Sequence, residues 1–324
     1  MRLFLAPMEG LVDPPMRELI TGVGGVDHCV TEFLRITNSR FPTKVYRRLV
    51  PEMANDWRTA AGIPVTLQIL GSDAERMADN AARAAELGAP AVDINFGCPA
   101  KIVNRHRGGA ALLEEPELLY QIVSRIRRAL PEATPLSAKM RLGLNDKTRS
   151  VECAQALSQA GAAEITVHAR TKTEGYRPPA YWEYLPAIRE AVPVPIIANG
   201  EVWTVEDFHR CRQVSGCEDV MIGRGLIAKP DLALQIRDSL AGRPVKPWTW
   251  SQVSPLVSEL FESTLEQAGP RHAPGRLKQW LTFLRLTYPE AQQLFVLIKK
   301  EKSVASLRAH LTPDPATSHL KAAG

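Results

Sequence analysis

The stretch DINFGCPAK, residues 93–101, sets one thiol, Cys98, between Gly97 and Pro99 at the point where an apolar run stops. Glycine and proline there break a strand, so the thiol belongs to the loop that follows, where it can serve as a nucleophile or as a proton donor. A cysteine-hydrolase arrangement has no obvious His and Asn pair to draw on beyond His168 and Asn95. Lys139 lies inside LSAKMRLG (136–143), and alternation gives the opposite face to Ala138 and Met140. Such a lysine either forms a Schiff base or stabilises negative charge developing on a heterocycle. His168, in EITVHART (164–171), is either a partner in that chemistry or a buried structural imidazole. IIANGE (196–201) and MIGRG (221–225) each place glycine where backbone amides can approach an anion, and Arg224 adds a fork of donors suited to phosphate. The pair of motifs predicts a phosphorylated cofactor or substrate.

These residues need a scaffold that brings the ends of distant segments together. Eight β-rich runs recur, at 3–8, 26–33, 64–71, 91–99, 136–143, 164–171, 194–201 and 219–226. Between most of them lie helical patterns such as DAERMADNAARAAELGA and PELLYQIVSRIRRAL, with Gly or Pro near their ends. Eight strands alternating with helices predict an α/β chain, a (β/α)8 TIM barrel over residues 1–241. A doubly wound open sheet is the runner-up, disfavoured because no G-x-G-x-x-G follows the first strand. In a barrel the chemistry sits at the strand ends, and the phosphate site recurs after strands seven and eight. The special residues collect there: Met8 and Glu9, Gln68, Asn95 to Cys98, Lys139 and Arg141, His168 and Arg170, Asn199 to Glu201, Gly223 and Arg224.

After Ile227 the pattern changes. GRPVKPWTW (242–250) reads as a linker, followed by helical stretches near 251–268, 276–287 and 290–302. A small C-terminal helical bundle is expected over 242–311, with a disordered tail over 312–324. The segment from Arg35 to Gly62 is a second insertion, carrying Arg35, Arg40, Lys44, Arg47 and Arg48.

Composition narrows the classes. The chain of 324 residues is 45% apolar, enough for a large core. Five scattered cysteines without a C-x-x-C pair suggest neither a disulfide framework nor a zinc site, and a reducing, cytoplasmic setting fits them. The other four, Cys29, Cys153, Cys211 and Cys217, read as small buried apolar residues. The short apolar start MRLFLAPMEG is no signal core, and no run has the length to cross a bilayer. Net charge is +5, and from Lys246 onward ten Lys or Arg face six Asp or Glu, so most of the excess lies in the last quarter. That skew fits either a polyanionic partner or a solvated basic helix face.

Taken together, LAPMEGLVD, DINFGCPAK with GGAALL (108–113), KMRLG, VHARTKTEGY, ANGE and IGRG resemble, in order and spacing, the tRNA-dihydrouridine synthases; GRLKQWLTFLR (275–285) extends the similarity into the helical region. The resemblance implies an oxidoreductase in which FMN lies across the barrel mouth, NADPH reduces it, and a uridine extruded from the tRNA D-loop is reduced at C5–C6. It implies hydride delivery to C6 and proton donation to C5 by Cys98. It places Pro7, Met8, Glu9 and Gln68 beside the flavin, Lys139 and His168 near its ring, and Asn199, Gly200, Glu201, Gly223 and Arg224 around ribityl and phosphate. Asn95 would hold the uracil edge, Arg35 and Tyr176 would meet RNA near the rim, and Arg276, Lys278 and Lys299 would grip phosphates. The PMEG opening, Arg35 and RLKQWL look like the bacterial class acting on uridine 16, in which an arginine is usual at the place of Lys299 and a tyrosine at that of Phe283. A monomer is expected. The competing readings are an FMN-dependent small-molecule oxidoreductase of the dihydroorotate dehydrogenase type, an aldolase-type lyase using Lys139, and an RNA-binding barrel without chemistry.

Overall fold

The computed structural model describes residues 1–100 and 108–311; Lys101 of the cysteine motif and the expected tail over 312–324 lie outside the described residues. Eight parallel strands, β1 (Leu3–Leu5), β2 (His28–Arg35), β3 (Val65–Leu70), β4 (Val92–Phe96), β5 (Leu136–Gly143), β6 (Glu164–Thr171), β7 (Ile196–Asn199) and β8 (Val220–Ile222), close into a barrel in chain order. Helices α1 (Pro14–Val23), α2 (Thr43–Leu49), α3 (Ala74–Glu86), α4 (Pro116–Ala129), α5 (Ser150–Gln159), α6 (Leu185–Ala191), α7 (Val205–Ser215), α8 (Arg224–Ala228) and α9 (Leu232–Leu240) cover or connect the strands. The chain ends in α10 (Trp250–Ala268), α11 (Ala273–Leu284), α12 (Pro289–Ile298) and α13 (Val304–Leu311).

Alternation divides each strand between two environments. Leu136, Ala138, Met140 and Leu142 of β5, with Val92, Ile94 and Phe96 of β4 and Ile165, Val167 and Ala169 of β6, join the large apolar layer under the helices. The intervening side chains turn inward. Phe4, Ala6, Val30, Ile197 and Met221 form a small separate cluster inside the barrel. The register then places Asp93 beside Ser137, Asn95 beside Lys139, Arg141 beside His168, and His168 beside Asn199.

Several strand runs stop earlier than their sequences suggest, β1 and β8 among them. β1 ends at Leu5 because Pro7 offers no N–H, and the chain then turns on the Met8 carbonyl, which accepts from Leu11 (3.0 Å) and Val12 (2.9 Å). β8 ends at Ile222, and Arg224 opens the short helix α8. The segment from Arg35 to Gly62 is ordered: it holds α2 and a 3-10 turn, Pro51–Asn55. Buried Arg17 anchors that turn, donating to Glu52 Oε1 (2.8 Å) and to the carbonyls of Val12 (3.1 Å) and Leu49 (2.8 Å).

α11 is fastened to the first βα loop. Asp13 caps α1 by accepting from Met16 N–H (3.1 Å), and the same carboxylate takes both Nε (2.9 Å) and Nη2 (3.1 Å) of Arg276. Gln279 Nε2 donates to the Gly10 carbonyl (2.8 Å), and buried Trp280 donates to the Ile227 carbonyl (2.9 Å). Arg276, expected to grip phosphate, is therefore buried in an internal ion pair, and Lys278 donates to the Glu301 carbonyl. Cutting Arg276 to alanine leaves Asp13 half-satisfied and should cost about 2–4 kcal/mol in urea unfolding, toward the range for breaking a buried pair. A loss below about 0.5 kcal/mol would show that α11 holds its place without the clamp.

Candidate active site

The barrel mouth opens into a cavity of about 830 Å³, roofed on one side by Gln279 and Phe283 of α11. Its volume lies in the range of cofactor pockets. The sequence-derived residues Pro7, Met8, Glu9, Gln68, Asn95, Cys98, Lys139, His168, Tyr176, Asn199, Gly200, Glu201, Gly223 and Arg224 all line it. Arg35, at the end of β2, is half-buried outside the lining, and exposed Lys299 lies just past α12.

In an eight-stranded barrel the loops after β4 and β8 stand on opposite walls, so Cys98 faces Arg224 across the mouth. On the Arg224 wall, Glu201 contacts Arg170 Nη2 and lies 3.5 Å from Arg224 Nη2, while its other oxygen accepts from Trp203 Nε1 (2.9 Å). Arg224 stacks against the rings of Tyr176 (5.3 Å) and Trp203 (5.0 Å). Two guanidiniums thus share one carboxylate, which leaves a net positive charge for a ligand anion. Gly200, at φ 119°, runs so close to His168 that a Cβ would come within 3.0 Å of the ring, and one at Gly223 would sit 3.2 Å from Met8 Sδ. Glu201 itself holds a left-handed backbone, φ 58°, a strained conformation that the turn imposes beside the two arginines.

The floor is cationic. Lys139 Nζ donates to Asn199 Oδ1 (2.9 Å), and Asn199 Nδ2 in turn donates to the Met221 carbonyl (2.8 Å), so the lysine is held by a fixed amide. Burial, with Arg141 adding to it, brings the Lys139 ammonium down to about 7. Burial first, then the surrounding Arg141, Lys139, Arg170 and Arg224, push His168 well below the usual imidazole range, so it stands neutral. At the rim, Glu9 rises to about 7 through partial desolvation and the neighbouring Glu32.

Cys98 packs against Leu70 and Phe33 and is 7% exposed. Burial pushes its thiol up, outweighing a hydrogen bond from the Ala100 amide and the fields of Arg141 and Arg35. A thiol kept protonated is better placed to donate a proton than to attack. Arg141 fixes the loop, its Nε donating to the Gly97 carbonyl (2.8 Å) and its Nη1 to those of Thr171 (3.0 Å) and Gly175 (2.9 Å).

Several lining residues had no role assigned from sequence. Arg141 and Arg170 follow Lys139 and His168 by two positions, so alternation carries a signal for them. Glu32 and Phe33 are consecutive yet both reach the cavity, because the β2–β3 register shifts between Val30 and Phe33. Gln279 and Phe283 arrive by a tertiary contact. No group of His, Cys, Asp and Glu suited to a metal occurs among the described residues, nor a helix long and apolar enough to cross a membrane.

The site thus joins, at the mouth of a closed parallel barrel, a wall with surplus guanidinium charge, a floor holding a buried lysine and a buried thiol. The family model described as dihydrouridine synthase (Dus) matches residues 4–296, and the chain belongs to that family. It is 51% identical over 307 residues to a tRNA-dihydrouridine(16) synthase of Pseudomonas putida, covering 95% of each chain. It is 48% identical over 308 residues to one of the same name from Neisseria meningitidis serogroup A, covering 95% of this chain and 92% of that protein. A solved structure, a variant of NCR from Zymomonas mobilis, shares the fold with a TM-score of 0.52 at 16% identity, over 76% of this chain and 88% of that one.

Replacing Lys139 by methionine tests the buried charge. The folded-state value of about 7 lies below the ordinary 10.5, so between these the unfolded chain holds more protons and wild-type stability rises with pH. Lys139→Met should therefore stabilise the ligand-free protein by about 1–4 kcal/mol near pH 7, with the gain shrinking toward pH 10, while cofactor affinity falls. Urea unfolding at both pH values checks it, and a pH-independent difference would mean that Lys139 is not desolvated.

Proposed function

We propose that this protein reduces the C5–C6 double bond of uridine 16 in the tRNA D-loop, with FMN as its cofactor and NADPH as reductant. The observation that carries this reading is the cavity between barrel mouth and α11, with surplus guanidinium charge on one wall and the protonated Cys98 on the other. The near-full-length likeness to tRNA-dihydrouridine(16) synthases supports the choice of base and position.

The donor set fits a flavin mononucleotide. Arg224, with the backbone at Gly200, Glu201 and Gly223, would hold the phosphate and ribityl chain; Asn199, Lys139, His168 and Gln68 would meet the ring, with Pro7, Met8 and Glu9 along its edge. When bound, the flavin supplies the hydride. The remaining work belongs to the chain. Lys139, poised by burial, offers a positive charge to the ring system, and neutral His168 fills space beside it without adding another. Cys98 carries the proton at Sγ and delivers it to the carbon that gains electron density, and Asn95 holds the base edge. Gln279 and Phe283 would close the cavity on the side of α11, where they line it.

A base inside a folded RNA must be extruded to reach such a floor, and backbone contacts must hold the RNA meanwhile. Residues 242–311 would act as the unit that holds it, with exposed Lys299, Tyr176 at the rim and Arg35 as contacts. Arg276 and Lys278 serve that unit's structure. The protein would work as a monomer in the cytoplasm.

The direct test is mass spectrometry of D-loop fragments from tRNA of a strain lacking the gene, before and after incubation with protein and NADPH. A gain of two hydrogens at position 16 is expected. A gain at a neighbouring uridine would reject the position, and none from a flavin-loaded, NADPH-oxidising protein would favour a small-molecule substrate. Cys98→Ala should retain flavin and NADPH oxidation and lose dihydrouridine formation by at least about a hundredfold, the usual scale for a general acid. Lys299→Ala should lower the slope of tRNA affinity against salt by about one, as expected for one phosphate contact, whereas Arg276→Ala should leave that slope unchanged.

A further inference from the structure

Below Cys98, four polar residues on adjacent strands form one directed chain of hydrogen bonds. Ser137 Oγ donates to Asp93 Oδ1 (2.6 Å) and Gln68 Nε2 donates to Asp93 Oδ2 (2.7 Å). Asn95 Nδ2 then donates to Gln68 Oε1 (2.7 Å), and the Gly97 N–H donates to Asn95 Oδ1 (2.9 Å). An isolated Gln or Asn amide can present either end to its neighbour. Here both ends of the chain are fixed, because a carboxylate only accepts and a backbone N–H only donates. Asp93 is completely enclosed, and burial raises its carboxyl only to about 6, with Ser137, Gln68 and Lys139 opposing the rise, so it is ionised at neutral pH.

We propose that Asp93 is a positioning residue which fixes the amide orientation of Gln68 and Asn95 and, through Asn95, the turn that carries Cys98. This inference rests on the reading of the cavity as a uridine-reducing site. Gly97 is held at both of its backbone groups, its N–H by Asn95 and its carbonyl by Arg141 (2.8 Å), so these two contacts fix the residue that precedes the thiol. The orientation also matters for the base. With one N–H and one lone pair already engaged, Asn95 retains one donor and one acceptor in a fixed order. Uracil presents an acceptor at O4 beside a donor at N3; cytosine presents the reverse. Turning the Asn95 amide end for end would exchange a match to uracil for a match to cytosine, so Asp93 acts as a specificity determinant at one remove.

The test is a double-mutant cycle on the full-length, flavin-loaded enzyme, with Asp93→Asn, Asn95→Ala and the combined variant, read as kcat and KM for dihydrouridine formation in tRNA. Asp93→Asn should lower kcat roughly ten- to a hundredfold, the scale of losing a hydrogen bond to a charged group, with KM held by the RNA contacts. Asp93→Asn added to Asn95→Ala should cost no more than Gln68→Ala costs by itself, since Asp93 acts through these two amides. Any loss beyond that would overturn the proposal. Hydrogen exchange of the Gly97 amide in flavin-free protein supplies a second readout, expected to quicken at least about tenfold in Asp93→Asn; unchanged exchange would also overturn it. Should Asp93→Asn not fold, Ser137→Ala, which removes one anchor of the same carboxylate, carries the same cycle with a smaller expected loss. A wild-type enzyme that makes no dihydrouridine would reject the functional reading, whereas the exchange measurement would still judge whether Asp93 fixes the turn.

Discussion

Closure of eight parallel strands forces every second residue of each strand toward a common axis, and the rest of the molecule depends on how that axis is filled. Partway down it holds an apolar cluster of Phe4, Val30, Ile197 and Met221. Near the mouth it is polar and carries more cations than anions: Lys139, Arg141 and Arg170 are buried there against Asp93 and Glu201. Burying charge in this proportion is costly unless something anionic completes the arrangement. The outer faces of the same strands pay for it through their apolar contact with the helices.

The two walls of the mouth are tuned in opposite directions by one variable, exposure to water. Around Arg224 and Glu201, ion pairing and aromatic stacking keep charge in place and available. Around Cys98, enclosure by Leu70 and Phe33 keeps charge off the sulfur. A reaction that adds a hydride and a proton to opposite ends of one double bond needs both environments within one cavity, and strands half a turn apart around the barrel supply them.

Most of this frame was legible in the sequence because it follows from period two. All eight expected runs contain a strand, and the inward aim of Lys139 followed from its apolar neighbours on β5. Arg276 was misread for the opposite reason. Its partner, Asp13, lies 263 positions away, so composition saw a surface cation where the fold makes a buried pair. Glu32 and Phe33 escaped because a register shift on β2 breaks the alternation on which the reading relied. Asp93 followed the rule, two residues before Asn95, but its partners Gln68 and Ser137 emerge only when β3, β4 and β5 are side by side.

The clamp between Arg276 and Asp13 joins the first loop of the barrel to the last third of the chain. Because Gln279 of the same helix also holds Gly10, the rim segment around Met8 and Glu9 and the helical unit form one mechanical piece. A hybrid enzyme assembled by exchanging residues from 242 onward with those of a relative would therefore sever a joint that sequence order hides. Its natural unit of exchange is discontinuous, the first loop travelling with the terminal helices.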